Sequence, residues 1–151
     1  MPAAAHPNRA TESNTTSNRL GSCLAWIGRP EGKRMARNIP GEPYTRISVE
    51  EASAMLQAGD AVAIDVRRKD EYEHGHVQGA KWIPVDDIIP RFAELPSEGK
   101  LLFICAVGAR SGLAAEYAAA MGTKPDRLFN IEDGTPTWIQ KGLPTSYGTD
   151  A

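Results

Sequence analysis

Two short apolar runs, Ala61-Val-Ala-Ile-Asp-Val66 and Leu101-Leu-Phe-Ile-Cys105, each lead into a helical pattern, and that alternation constrains the fold more than any other feature. Short runs without polar alternation are expected of strands buried on both faces. Such strands belong to a mainly parallel sheet covered by helices on both sides. Ala80-Lys-Trp-Ile83, ended by Pro84, and Leu128-Phe-Asn-Ile131 read as further strands.

The intervening segments read as helices. Ser48-Val-Glu-Glu51 has a capping-box pattern, Ala52, Met55 and Leu56 then share one apolar face, and Gly59 is a natural stop. A short helical stretch runs from Lys69 to His74, ahead of Gly75. Asp86 or Asp87 caps a helix through Phe92, with Pro90 tolerated only in its first turn. Ser111 to Met121 places Leu113, Tyr117 and Met121 on one apolar side and ends at Gly122, and Thr137 to Lys141 closes the fold. No internal repeat is present.

With 151 residues, the chain has room for one well-cored domain. Residues 1–43 are polar, rich in Asn, Thr, Ser, Arg, Gly and Pro, and read as a disordered leader; the domain is expected over 44–147 and a tail over 148–151. Residues 1–40 carry a balance of +4 and residues 41–151 one of −6, so the folded part is acidic. An acidic domain argues against nucleic acid as a partner, and a substrate anion must be drawn by local groups. No apolar run is long enough to span a membrane, and the cluster from Cys23 to Ile27 is too short for a signal-peptide core. Leu20-Gly21-Ser22-Cys23 faintly resembles a lipoprotein processing site, but the polar stretch before it argues against that reading. The basic leader also suits an organelle transit peptide; the reading adopted is that translation starts at Met35. With Cys23 and Cys105 in unlike surroundings and no paired metal spacing, a reducing compartment, the cytoplasm, is expected.

Cys105 ends the central strand, where open α/β sheets bind ligands. The turn after it, Ala106, Val107, Gly108, Ala109, Arg110 and Ser111, runs directly into a helix, so backbone N–H groups and the helix terminus can hold an anion. The same groups and the Arg110 cation lower the pKa of the thiol. A lone strand cysteine is more often an inert core thiol; the Gly-containing turn, the arginine and the helix reverse that balance.

Asp65-Val66-Arg67, Glu71-Tyr-Glu-His-Gly-His-Val-Gln-Gly-Ala80, Ile83-Pro84, the loop Cys105 to Arg110, and Gly134, Trp138 and Gly142-Leu143-Pro144 follow one another in the order of the signatures of a known family. From about Tyr44 to Tyr147 the chain resembles a single-domain rhodanese. The resemblance implies a rhodanese-like α/β fold with a central, mainly parallel five-stranded sheet and helices on both faces. It also implies a sulfurtransferase with Cys105 as nucleophile, the loop amides and Arg110 as donor-binding groups, and Asp65, Arg67 and His76 as supporting residues. Asp133 departs from the family pattern, where a glycine is usual, and bears on the geometry of that turn. His74 and His76 have an H-x-H spacing, but with no third ligand evident no metal is expected. Trp82 and Trp138 read as core or pocket wall.

The implied chemistry is covalent: Cys105 takes a sulfane sulfur from thiosulfate or a similar donor as a persulfide and passes it to a thiol or cyanide, without metal or organic cofactor. Partners are then a small-molecule donor and a thiol acceptor, or a sulfur-acceptor protein in a relay, with a monomer or homodimer as the assembly. Related phosphatases and arsenate reductases use a C-x5-R loop; the C-x4-R loop here is too tight for a tetrahedral oxyanion and suits one sulfur. A regulatory binding module is the other alternative, one usually found where the cysteine is replaced. Ala106, Val107 and Arg110 fit a mercaptopyruvate-type loop poorly, so thiosulfate is the favoured donor.

Overall fold

The computed structural model describes residues 35–151. The leader before Met35, with Cys23, lies outside the described residues. Strands are β1 (Arg37–Asn38), β2 (Thr45–Ile47), β3 (Ala61–Asp65), β4 (His76–Val77), β5 (Lys81–Trp82), β6 (Lys100–Ile104), β7 (Leu128–Ile131) and β8 (Thr145–Ser146). Helices are α1 (Val49–Ala58), α2 (Lys69–Glu73), α3 (Ala109–Ala120) and α4 (Gly134–Gln140).

The main sheet runs β1-β2-β7-β6-β3-β5. The five strands from β2 to β5 are mutually parallel, as expected, and β1 adds a short antiparallel edge. A second, two-stranded sheet pairs β4 with β8.

Side chains alternate along β6 and divide the core. Leu101, Phe103 and Cys105 pack with Ile64, Leu128 and the α3 residues Ala114, Ala115 and Ala118. Leu102 and Ile104 pack on the opposite face with Val49, Ala52, Ile131 and Trp138. Cys105 therefore sits one residue beyond β6, on the α3 side, with its backbone inside the protein. Each fully buried Leu, Ile or Phe contributes roughly 1.5–3 kcal/mol, so the strand bearing the cysteine is among the best-anchored parts of the molecule.

The capping box forms: Ser48 Oγ accepts the Glu51 N–H at 3.2 Å, and Glu51 Oε1 accepts the Ser48 N–H at 2.9 Å. Gly59 closes α1 in the left-handed region at φ +93°.

Three sequence expectations are corrected. The first is the leader's boundary. Structure starts before residue 44, because Arg37 places its guanidinium on Glu132 at 2.7 and 3.0 Å and Asn38 Nδ2 bonds Thr45 Oγ1 at 2.8 Å. Within the expected tail, the Gly148 N–H donates to the Glu73 carbonyl at 2.8 Å, and the Asp150 carbonyl meets His76 Nε2.

In α3 the buried face is Ser111, Gly112, Ala114, Ala115 and Ala118, whereas Leu113 and Met121 are exposed. Small side chains let the helix approach the sheet closely, which outweighs the larger apolar residues on its outer side. Finally, the helix expected from Asp86 to Phe92 is two 3-10 turns, Val85–Asp87 and Phe92–Glu94. Pro90 has no N–H to continue an α-helical ladder between them.

Candidate active site

Cys105 has no exposed surface, and its sulfur is met by polar groups from the following turn. The Gly108 N–H points at Sγ at 3.1 Å, and Ser111 Oγ lies 3.3 Å away. Burial pushes the thiol's pKa up. Hydrogen bonds from the Ser111 side chain and from the Ser111, Val107 and Gly108 backbones more than offset that, so the net direction is down.

The turn holds this arrangement for backbone reasons. Gly108 caps α3 at φ +93°, and a Cβ there would lie 3.0 Å from the Glu132 carbonyl oxygen. Gly134 has φ +84°, and a Cβ there would sit 1.8 Å from the Ala106 carbonyl oxygen. That close approach lets the Thr135 N–H bond the Cys105 carbonyl at 2.8 Å, tying the start of α4 to the cysteine. Asp133, the departure from the family pattern, takes an ordinary right-handed conformation, and its carboxylate accepts the Val49 N–H at 3.1 Å.

The expected loop residues divide by position. Gly108 and Ser111 touch the sulfur, Ala106 lines the Gly134 contact, Ala109 is exposed at the start of α3, and Val107 is 76% exposed at the apex. Arg110 forms a two-point ion pair with Glu71 at 2.8 and 3.1 Å. The guanidinium holds the Glu71 carboxyl down at about 2. Composition and spacing gave no sign that α2 would reach the loop arginine.

Of the supporting residues, Asp65 ends β3 in register with Ile104 on β6, beside Cys105. It is fully buried and accepts the Arg67 N–H at 3.0 Å, Nε at 2.9 Å and Nη2 at 2.8 Å. Arg67 Nη2 also bonds the Gly75 carbonyl at 2.8 Å, joining the ends of β3 and α2. His76 belongs to β4. Its ring stacks on Tyr72 with centroids 3.6 Å apart, and its nitrogens face the Tyr72 and Asp150 carbonyls. No cluster of three metal-ligating His, Cys, Asp or Glu side chains occurs among the described residues. Trp138 is buried in the core, and Trp82 donates its Nε1–H to the Arg67 carbonyl at 2.8 Å.

Asn130, on β7, was not singled out from sequence. Its Nδ2 donates to the Gly108 carbonyl at 3.1 Å, and its Oδ1 accepts the Ser111 hydroxyl at 2.6 Å.

The chain and its fold have counterparts among known proteins. The model of the Rhodanese-like domain family matches residues 48–141, and the chain belongs to that family. A Bacillus subtilis (strain 168) protein named putative sulfur carrier protein YrkF is 30% identical over 122 residues, covering 80% of this chain and 64% of its own. Thiosulfate sulfurtransferase GlpE of Tolumonas auensis is 29% identical over 96 residues, 63% of this chain and 88% of that protein. An HTH-type transcriptional regulator of Mycobacterium tuberculosis is 29% identical over 113 residues, and the chain spans 50% of its length. In structure, a rhodanese-like domain protein from Staphylococcus aureus superposes with a TM-score of 0.57 at 29% identity, covering 65% of this chain and 94% of that one. No helix among the described residues is long and apolar enough to cross a membrane.

Proposed function

We propose that the chain is a sulfurtransferase that carries sulfur as a persulfide on Cys105, with thiosulfate as donor. The observation that carries this reading is the Gly108 N–H aimed at Cys105 Sγ at 3.1 Å, at the N-terminus of a twelve-residue helix. Those groups stabilise negative charge on sulfur, whether thiolate or persulfide. The Cys105 thiolate attacks the outer sulfur of thiosulfate; the new S–S bond forms as the donor's S–S bond breaks, and sulfite leaves with the bonding electron pair. A thiolate or cyanide acceptor then attacks the outer sulfur of the persulfide and restores the Cys105 thiolate. The chemistry asks for no metal or organic cofactor.

Cys105 has no surface open to solvent, so the loop must yield to admit a donor. Its apex is suited to that, since Val107 is mostly exposed and its neighbours are Ala106 and Gly108. The similarity to a protein named as a thiosulfate sulfurtransferase supports the donor class. A sulfur relay, with a protein thiol as acceptor, is the second reading; it is favoured by the exposed apolar Val107 at the loop apex and by the similarity to a named sulfur carrier. Both readings fit a reducing, cytoplasmic setting in which Cys105 stays free.

Steady-state kinetics with thiosulfate and cyanide test the enzyme reading. Parallel double-reciprocal lines that vanish in a folded Cys105→Ser variant are expected; turnover that survives the substitution rejects it.

A further inference from the structure

Ser111 has one hydroxyl proton and two neighbours that compete for it, Cys105 Sγ at 3.3 Å and Asn130 Oδ1 at 2.6 Å. The Asn130 amide has its orientation set from the other side. Its NH2 faces the Gly108 carbonyl at 3.1 Å, and the flipped amide would set two acceptor oxygens against each other. Oδ1 therefore faces Ser111, and an oxygen–oxygen contact of 2.6 Å requires a proton between the two. An amide oxygen has none to give, so Ser111 donates to Asn130. What Ser111 then offers Cys105 is a lone pair, the partner of a thiol S–H rather than of a thiolate.

We infer that Asn130 is a positioning residue for Cys105: by accepting the Ser111 O–H hydrogen bond it favours the thiol form of the resting sulfur, and the O–H turns toward Sγ only when the sulfur becomes anionic. The inference rests on Cys105 being the reacting sulfur of the proposed function. On ionisation the thiol proton leaves to water or a buffer base. The Ser111 O–H then swings from Asn130 Oδ1 to Sγ, leaving two oxygens facing each other without a proton. That mismatch is the cost Asn130 places on the thiolate, and the Gly108 N–H and the start of α3 work against it.

The other charged groups around the sulfur sit on different elements. Arg110 on α3 is paired with Glu71 of α2, Asp65 at the end of β3 is held by Arg67, and Glu132 after β7 is held by Arg37. None of these residues is altered by a change at Asn130. A change there thus reads the hydroxyl rather than the surrounding field. The sequence held no sign of it, because Asn130 reads as one polar residue within an apolar strand.

The pH dependence of Cys105 alkylation by iodoacetamide tests this without any sulfur donor, so its outcome is separate from whether thiosulfate is the substrate. Asn130→Ala should move the alkylation midpoint to lower pH and speed alkylation several-fold at neutral pH. Ser111→Ala should move it to higher pH, and adding Asn130→Ala to Ser111→Ala should give no downward shift. A merely structural role predicts the opposite sign, since losing the Gly108 anchor would loosen the N–H that supports the thiolate. An upward or unchanged midpoint in Asn130→Ala, or the same downward shift with and without Ser111, overturns the inference. Should Asn130→Ala not fold, crystals of the unaltered protein at acid and alkaline pH decide it. The Ser111–Asn130 contact should lengthen when the sulfur is ionised, and a contact unchanged at both pH values overturns it.

Discussion

Arg110 and Glu71 form a two-point ion pair across the mouth of the cysteine loop, Nη1 to Oε1 at 2.8 Å and Nη2 to Oε2 at 3.1 Å. The pair joins α2 to the first turn of α3, and it is the contact that most alters the expected role of Arg110. A guanidinium already facing a carboxylate attracts a donor anion less strongly than a free one.

Glu71→Gln should therefore lower the thiosulfate KM several-fold by leaving the Arg110 charge uncompensated, while Arg110→Ala should raise it with little change in folding. Steady-state kinetics on the two variants check this. A raised KM in Glu71→Gln would mean that the carboxylate aims the guanidinium rather than shielding it.

The same pair sets a pH window. Arg110 is the main cause holding the Glu71 carboxyl at about 2, against an ordinary value of 4.5 and despite the upward push of burial. A carboxyl depressed by folding stabilises the protein fully above its ordinary value, and the contribution fades as pH falls toward the lower one. Both side chains are partly solvated, so the contribution is about 1 kcal/mol or less. Denaturant melts of wild type and Glu71→Gln should differ by that amount above pH ~4.5 and converge toward pH ~2. A difference that persists at the acid end contradicts the linkage.

Gly134→Ala drives a methyl group into the Ala106 carbonyl and puts alanine at φ +84°. Both effects are destabilising, by about 3 kcal/mol together. Thermal unfolding should show a large loss of stability, and where the variant still folds, sulfur transfer should fall because the Thr135 tie to Cys105 is displaced. A variant as stable and active as wild type would mean that the loop has more slack than its geometry shows.

The legible parts of the fold were those in which local and global signals agree. The runs at Ala61 and Leu101 formed parallel strands because their apolar residues face helices on both sides, and Ser48 and Glu51 formed their cap because its partners lie within one turn. The α3 face was misread because hydrophobicity favours Leu113 and Met121, whereas close packing favours Ala114, Ala115 and Ala118. Cys105, Gly108 and Ser111 were legible as one cluster because they share one turn. Glu71 and Asn130 were not, since each reaches the loop across a chain separation that no local pattern encodes.

Intact mass after incubation with thiosulfate tests the assignment of Cys105 most directly. The reduced wild-type protein should gain one sulfur atom, mapped to Cys105 by peptide analysis and removed by cyanide, while folded Cys105→Ser gains none. An unchanged mass in folded, reduced wild type with thiosulfate and other sulfane-sulfur donors, or a sulfur found on another residue, would contradict it.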